Sequence, residues 1–191
     1  MSICLPKSKY RIVLADPPWS YWGQQDKWGA AGKFYQTMSL DEICALDVGG
    51  LLEEPGVLFL WATGPKLDVA MSCIERWGLF FRGVAFVWVK TTRQGTPIGA
   101  QGVRPSIVKP LTEFVLAASN VERGRPLPLS DESITQTVFA PKTTHSTKPD
   151  EVQERIERMY PDATKIELFA RRAREGWSGW GLEYPEPSDV A

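Results

Sequence analysis

The 191-residue chain carries 22 basic and 23 acidic side chains, a net charge of −1. That balance argues against a protein that coats nucleic acid by bulk charge, though not against a local basic groove. With 43% hydrophobic and 24% charged residues it is ordinary for a globular domain, and its length suits one domain rather than two. The three cysteines, Cys4, Cys44 and Cys73, form no zinc or disulfide pattern, and the single histidine, His145, leaves no imidazole set for a metal. No metal site is expected, and the cysteine usage fits a reducing cytoplasm. The N-terminus is too short in apolar residues for a signal peptide, and no run approaches the ~18 apolar residues of a membrane span.

In chain order, "YRIVLA" (10–15) reads as a buried strand, apolar and β-branched. Residues 20–37 hold three glycines without a period and read as a long functional loop. Ser39 with Glu42 forms a capping box, Met38 with Ile43 its staple, and Leu40, Ile43 and Leu46 the buried face of the helix they open. "GVLFLWAT" (56–63) is a second buried strand, and Pro65 suits the first turn of the next helix. That helix is predicted to bury Leu67, Met71 and Ile74 and to end at Gly78. Strands follow at 82–90 and 112–119, separated by a Gly/Pro loop over 91–110. Residues 121–137 read as an irregular, mobile segment, 148–159 as a helix with apolar Val152, Ile156 and Met159, and 164–170 as a strand. Alternating strands and helices predict an α/β domain with a mainly parallel, doubly wound sheet over 1–184, and a frayed tail over 185–191. Asp16, Lys90 and "ARR" (170–172) each follow a strand, so they converge where such sheets bind ligands.

The tetrapeptide Asp16-Pro17-Pro18-Trp19 carries the clearest chemistry. A double proline cannot continue a central strand, but it holds the chain rigidly off a strand end. The Asp16 carboxylate and the Pro17 carbonyl are then two acceptors at fixed angles, suited to an exocyclic amine. Trp19 offers a flat face on which a base stacks, worth roughly 1–3 kcal/mol. A turn that caps a strand beside a packed tryptophan reads the same residues without chemistry.

Five collinear segments decide between these readings: "ADPPW" (15–19), "FYQTMSLDEI" (34–43), "FVWVK" (86–90), "HSTKPDE" (145–151) and "KIELFARR" (165–172). Together they resemble the DPPW-type adenine methyltransferases, the family of the eukaryotic messenger-RNA adenine methyltransferase and of many phage and bacterial DNA enzymes. The resemblance spans residues 10–183. It implies a Rossmann-like methyltransferase fold in permuted order, with the catalytic strand before the cofactor strand. It also implies S-adenosylmethionine as methyl donor and the 6-amino group of adenine as target.

By the same resemblance Asp16, Pro17, Pro18 and Trp19 form the catalytic set, with Asp16 also touching the donor. Lys148, Glu167, Phe169, Arg171, Arg174, Leu182 and Glu183 fall on cofactor positions. Trp19, Tyr21, Tyr35, Lys90 and Glu113 fall on the substrate side, Tyr35 in a loop that closes over both ligands. For Glu113 a plain pairing with a lysine stays open. Arg172 and Arg174 stay open between donor contact, nucleic-acid contact and solvated charge, with Arg174 favoured for the donor. His145 shapes its loop rather than acting as a base.

The chain departs from relatives in two places. Leu182 stands where the terminal "WGNE" pattern has Asn, and Ala173-Arg174 stands where the eukaryotic enzymes have His-Asn. Either donor affinity is weakened or Arg174 and Glu183 remake the contact. The expected activity is adenine methylation of DNA in preference to RNA, by a cytoplasmic protein working with nucleic acid and as a homodimer or with a helper subunit. The alternatives are an RNA methyltransferase and a catalytically silent nucleic-acid-binding scaffold. Arg93, Arg104, Lys109, Arg123, Arg125 and Lys142 are the cations available to line a groove.

Overall fold

The computed structural model describes residues 4–20, 38–99, 107–143 and 147–185. Tyr21, Trp22, Tyr35, Arg104 and His145, most of the loop expected over 20–37 and most of the expected tail lie outside them.

The elements run β1 (Tyr10–Ala15), α1 (Leu40–Cys44), β2 (Leu52–Thr63), α2 (Leu67–Arg76), β3 (Phe80–Thr91), β4 (Thr112–Ser119), β5 (Thr137–Pro141), α3 (Asp150–Met159), β6 (Lys165–Leu168) and β7 (Ser178–Trp180). They build one seven-stranded sheet in the order β5-β3-β4-β2-β1-β6-β7. β1 pairs in parallel with both β2 and β6, β3 with β5, and β6 with β7. β4 alone runs against its neighbours β2 and β3. The sheet is therefore mixed but mainly parallel, a Rossmann-like α/β fold.

Alternating side chains of the central strands feed two cores. Val13, Ala15, Leu58, Leu60, Ile166 and Leu168 pack with Ile43 of α1 and Ala70, Cys73 and Ile74 of α2. Ile12, Leu14, Phe59, Phe86, Trp88 and Val115 pack with Val152 and Ile156 of α3. Strands buried on both faces read as continuous apolar runs, which is why β1 and β2 stood out in the sequence.

Local signals act as their chemistry predicts at the start of α1 and at the end of α2. Ser39 Oγ accepts from the Glu42 N–H at 3.2 Å while Glu42 Oε2 accepts from the Ser39 N–H at 2.8 Å, closing the capping box. Gly78 (φ 69°) ends α2, and the Leu79 N–H bonds the Ile74 carbonyl at 3.0 Å, a Schellman closure.

The structure corrects three expectations. The buried face of α2 centres on Ala70, Cys73 and Ile74 rather than on Met71, which is 37% exposed. Two small residues there let the helix lie close on the sheet, and Met71 is rotated to its flank. Strands β2 and β3 start four and two residues earlier than expected. Pro55 falls where the β1–β2 register slips between Tyr10↔Leu52 and Ile12↔Val57, so its missing N–H costs no ladder bond. Residues 121–136 are irregular but fastened, with Leu127 buried, Arg82 bonding the Glu122 carbonyl at 2.7 Å and Arg158 bonding Asp131 at 2.5 Å. The segment then becomes edge strand β5, which buries only Val138 and Ala140.

Topology fixes where ligands go. β1 leads to β2 on one side, and β6 leads to β7 on the other. The crevice at the carboxyl ends of β1 and β6 is therefore the switch point of the sheet, where open α/β sheets bind ligands. Because β4 is reversed, its amino end meets the carboxyl ends of its neighbours at this same rim. No helix among the described residues is long and apolar enough to cross a membrane.

Candidate active site

Asp16 is the first residue beyond β1, and Ala15 is paired with Leu60 on one side and Leu168 on the other. Parallel register therefore brings Trp61 of β2 and Phe169 after β6 level with Asp16. Antiparallel pairing then sets Glu113 opposite Thr63 and Trp88. These ends enclose a cleft, partly open to solvent, lined by Asp16, Pro17, Pro18, Trp19, Trp61, Ala62, Thr63, Glu113, Lys148 and Arg171.

The prolines hold their carbonyls as the sequence suggests. The Trp19 N–H bonds the Pro17 carbonyl at 2.8 Å, a tight turn that fixes its direction and leaves one lone pair for a ligand. The Met38 N–H bonds the Pro18 carbonyl at 3.0 Å, tying the far end of the loop back to the site.

Trp19 differs from the open stacking wall expected of it. It lines the cleft, but it is 5% exposed, packed in the core with Ile43, and its Nε1–H bonds the Trp61 carbonyl at 3.2 Å. An unexpected ring, Trp61, borders the same cleft, with the Lys148 ammonium 5.4 Å from its centre.

Charge in the cleft is organised around Lys148, just before α3. Its Nζ lies 2.8 Å from Asp16 Oδ2 and 3.5 Å from Glu113 Oε2, while Lys90 Nζ lies 2.5 Å from Glu113 Oε1. Burial raises the Asp16 carboxyl above its ordinary range, against the pull of Lys148. Burial acts on Glu113 in the same direction, but Lys148 and Lys90 outweigh it and hold that carboxyl low. Two acids 2.8 and 3.5 Å from one lysine thus differ: Glu113 is firmly anionic, and Asp16 accepts a proton more readily. The lysine pairing left open for Glu113 is present, with Lys90 as its partner.

On the β6 side, Glu167 is pushed up to about 7, first by burial, with Gln153 Nε2 donating to Oε2 at 3.0 Å in opposition. Gln153, a buried α3 residue, is absent from the sequence-based candidates, because a lone glutamine in a polar helix carries no signal. Phe169 has φ 63°, unusual for a bulky residue, and its ring meets Trp180 edge-on at 5.4 Å. This backbone outlier turns the chain so that Arg171 enters the cleft, where its Nε lies 3.6 Å from Glu183 Oε2. Leu182 beside it is 68% exposed.

Arg174 does not line the cleft. It grips Glu157 of α3 through two bonds, at 2.7 and 3.1 Å, and Trp177 Nε1–H joins the same carboxylate at 2.7 Å. Arg172 pairs with Asp150. Both arginines are thus committed to fastening the segment after β6 onto α3. Among the described residues, no cluster of His, Cys, Asp or Glu could hold a metal ion.

The MT-A70 family model matches residues 10–183. The chain is 35% identical to the type II methyltransferase M.MunI of a Mycoplasma species, across 95% of this chain and 81% of that protein. It is 34% identical to the MT-A70-like N(6)-adenosine-methyltransferase of Drosophila melanogaster, across 85% of this chain and 24% of that protein. It is 31% identical to the human N(6)-adenosine-methyltransferase catalytic subunit METTL3, across 85% of this chain and 26% of that protein. A match over nearly the whole chain, on a sheet that brings Asp16, Lys148 and Arg171 to one cleft, gives the identification: this chain belongs to the MT-A70 family of methyltransferases.

Proposed function

We propose that the protein transfers a methyl group from S-adenosylmethionine to the 6-amino nitrogen of adenine in DNA. The observation that carries this reading is the pair of fixed acceptors at the end of β1. Asp16 and Pro17 line one cleft, with the Asp16 carboxylate held by Lys148 and the Pro17 carbonyl by the Trp19 N–H.

The donor set of the cleft suits S-adenosylmethionine. Lys148 and Arg171 line the cleft and offer cations for a carboxylate, while Glu167 on β6 and Glu183, 3.6 Å from Arg171, offer acceptors nearby for ammonium or hydroxyl groups. The group supplies an electrophilic methyl on sulfur; everything else falls to this chain's residues. With Lys148 on Oδ2, the other Asp16 oxygen takes one amine hydrogen and the Pro17 carbonyl takes the second. Holding both hydrogens orients the nitrogen lone pair at the methyl carbon and raises its electron density. As the nitrogen–carbon bond forms and the sulfur–carbon bond breaks, the nitrogen loses one proton. Asp16, with its raised affinity for a proton, is placed to receive it. Lys148 stabilises its carboxylate form before transfer. Positioning and electrostatics supply the rate, without a covalent enzyme intermediate.

DNA in preference to RNA is supported by the similarity to a type II methyltransferase, M.MunI, at 35% identity across 95% of this chain, against 31% across 85% for METTL3. Transfer of labelled methyl from S-adenosylmethionine to purified DNA and RNA, followed by nucleoside analysis, tests the reading. Label in 6-methyladenine of DNA, lost in Asp16→Ala with donor binding retained, is expected. Label in RNA alone overturns the choice of DNA, and label in no adenine overturns the reaction.

A further inference from the structure

Acidic and basic residues are nearly equal in number in this chain, yet two stretches contain no Asp or Glu at all, residues 91–112 and 133–149. The fold joins them. β3 pairs with β5, and the Lys142 N–H bonds the Thr91 carbonyl at 3.1 Å. Arg93, Lys109 and Lys142 thus lie in sequence just beyond or before the strand ends at the cleft rim, next to Lys90, which pairs with the cleft residue Glu113, and Lys148, which pairs with Glu113 and Asp16. In a protein of net charge −1, this acid-free rim is suited to a polyanion.

The same rim carries an apolar anomaly. Ile107 is 91% exposed and Val108 is 74% exposed, the two highest values among the large hydrophobics of the described residues. They stand on a fixed base. Ile98 N–H bonds the Lys90 carbonyl at 2.8 Å, Lys90 N–H bonds the Leu111 carbonyl at 3.0 Å, and the backbone of Gly99 lies so close to the Lys109 stem that an added Cβ would meet it at 2.8 Å. From Val108 to Glu113 in the cleft is five residues. Two adjacent β-branched side chains held in water at that distance have no folded-state partner among the described residues.

We propose that Ile107 and Val108 are a wedge that enters the base stack of a DNA duplex as the target adenine swings into the cleft, while Arg93, Lys109 and Lys142 hold the flanking phosphates. The inference rests on the DNA-methylation reading above. An adenine inside a duplex cannot reach a cleft at a sheet edge, so it must leave the stack, and apolar side chains inserted between base steps offset that cost. Stiff β-branched side chains lose little rotamer entropy on insertion, and the cations beside them supply affinity without sequence preference.

The test compares wild type with I107S/V108S on three DNA substrates of the same methylated sequence: a paired duplex, a duplex with an abasic site opposite the target adenine, and a single strand. The variant should keep its thermal midpoint, since both residues are exposed. Its kcat/KM should fall about tenfold or more on the paired duplex, where the extrusion cost applies, and stay near wild type on the other two. In the paired duplex 2-aminopurine at the target position should brighten with wild type and remain quenched with the variant. Lys142→Ala should weaken binding to all three and lower the salt dependence by about one counterion. An equal loss on all three substrates, no loss on the duplex, or a wild type active only on single strands overturns the wedge. So does a wild-type dimer that the double substitution splits in the absence of DNA, because the patch is then a self-interface. A wild type that methylates no DNA refutes the underlying reading in the first arm, and the wedge with it.

Discussion

Glu167→Gln should stabilise the protein, and only above a defined pH. Glu167 lies half-buried at the end of β6 and accepts a bond from Gln153. Burial lifts its carboxyl from an ordinary 4.5 to about 7. The folded state therefore holds this proton more tightly than the unfolded chain does. Its contribution to stability is full below pH 4.5 and is lost as pH rises from there to about 7. That displacement corresponds to at most about 3 kcal/mol, because Glu167 keeps some contact with water. Glutamine is nearly isosteric with the protonated acid, cannot ionise, and keeps an oxygen for Gln153. At pH 4.5 the variant should match wild type. At pH 8 it should gain up to about 3 kcal/mol, or roughly 6–12 °C in thermal midpoint for a chain of this size. Urea melts of both proteins across pH 4.5–8.5 measure the difference directly. A stability difference independent of pH, or a variant less stable at pH 8 than at pH 4.5 relative to wild type, refutes the reasoning.

Three further substitutions probe neighbouring parts of the site. Lys148→Met removes the cation that lowers the Asp16 carboxyl, so the acid limb of the pH–rate profile for methyl transfer should move to higher pH; an unmoved limb separates Lys148 from Asp16. Gly181→Ala places a Cβ 2.8 Å from the Ala170 carbonyl oxygen and 3.0 Å from its nitrogen. The turn carrying Arg171 must then shift, at a cost of about 1–3 kcal/mol in a chemical melt, and calorimetry should show weaker S-adenosylmethionine binding. Trp19→Phe deletes the bond from Nε1 to the buried Trp61 carbonyl and should destabilise by about 1–3 kcal/mol in urea melts; an unchanged midpoint contradicts the anchoring role given to that ring.

The parts of the fold legible in the sequence were those set by neighbours in the chain. The Ser39–Glu42 box, the Gly78 stop and the bounds of β4 at 112–119 follow from local chemistry and apolar runs. β5 escaped notice because its apolar run, Val138–Ala140, is only three residues long and stands between the polar stretch before it and Pro141. Met71 was misplaced because helical spacing alone does not say which of two adjacent faces meets the sheet, and packing chose the small side chains.

In the site, Asp16, Lys148 and Arg171 were nameable from the segments that carry the resemblance, and the fold lines one cleft with them and with Glu113. Trp61 and Gln153 were not nameable. The first is put beside Asp16 by strand register and the second beside Glu167 by helix packing, neither of which a linear pattern encodes. Arg174 was favoured for the donor from its position; its pairing with Glu157 comes from the packing of α3, which a linear pattern does not encode.

Nucleoside mass spectrometry of DNA and RNA from cells expressing this chain, beside cells expressing Asp16→Ala, tests the central claim most directly. The account predicts 6-methyladenine in DNA with the intact chain and background levels with the variant. DNA carrying no 6-methyladenine above background, or equal amounts with and without the Asp16 carboxylate, would contradict it.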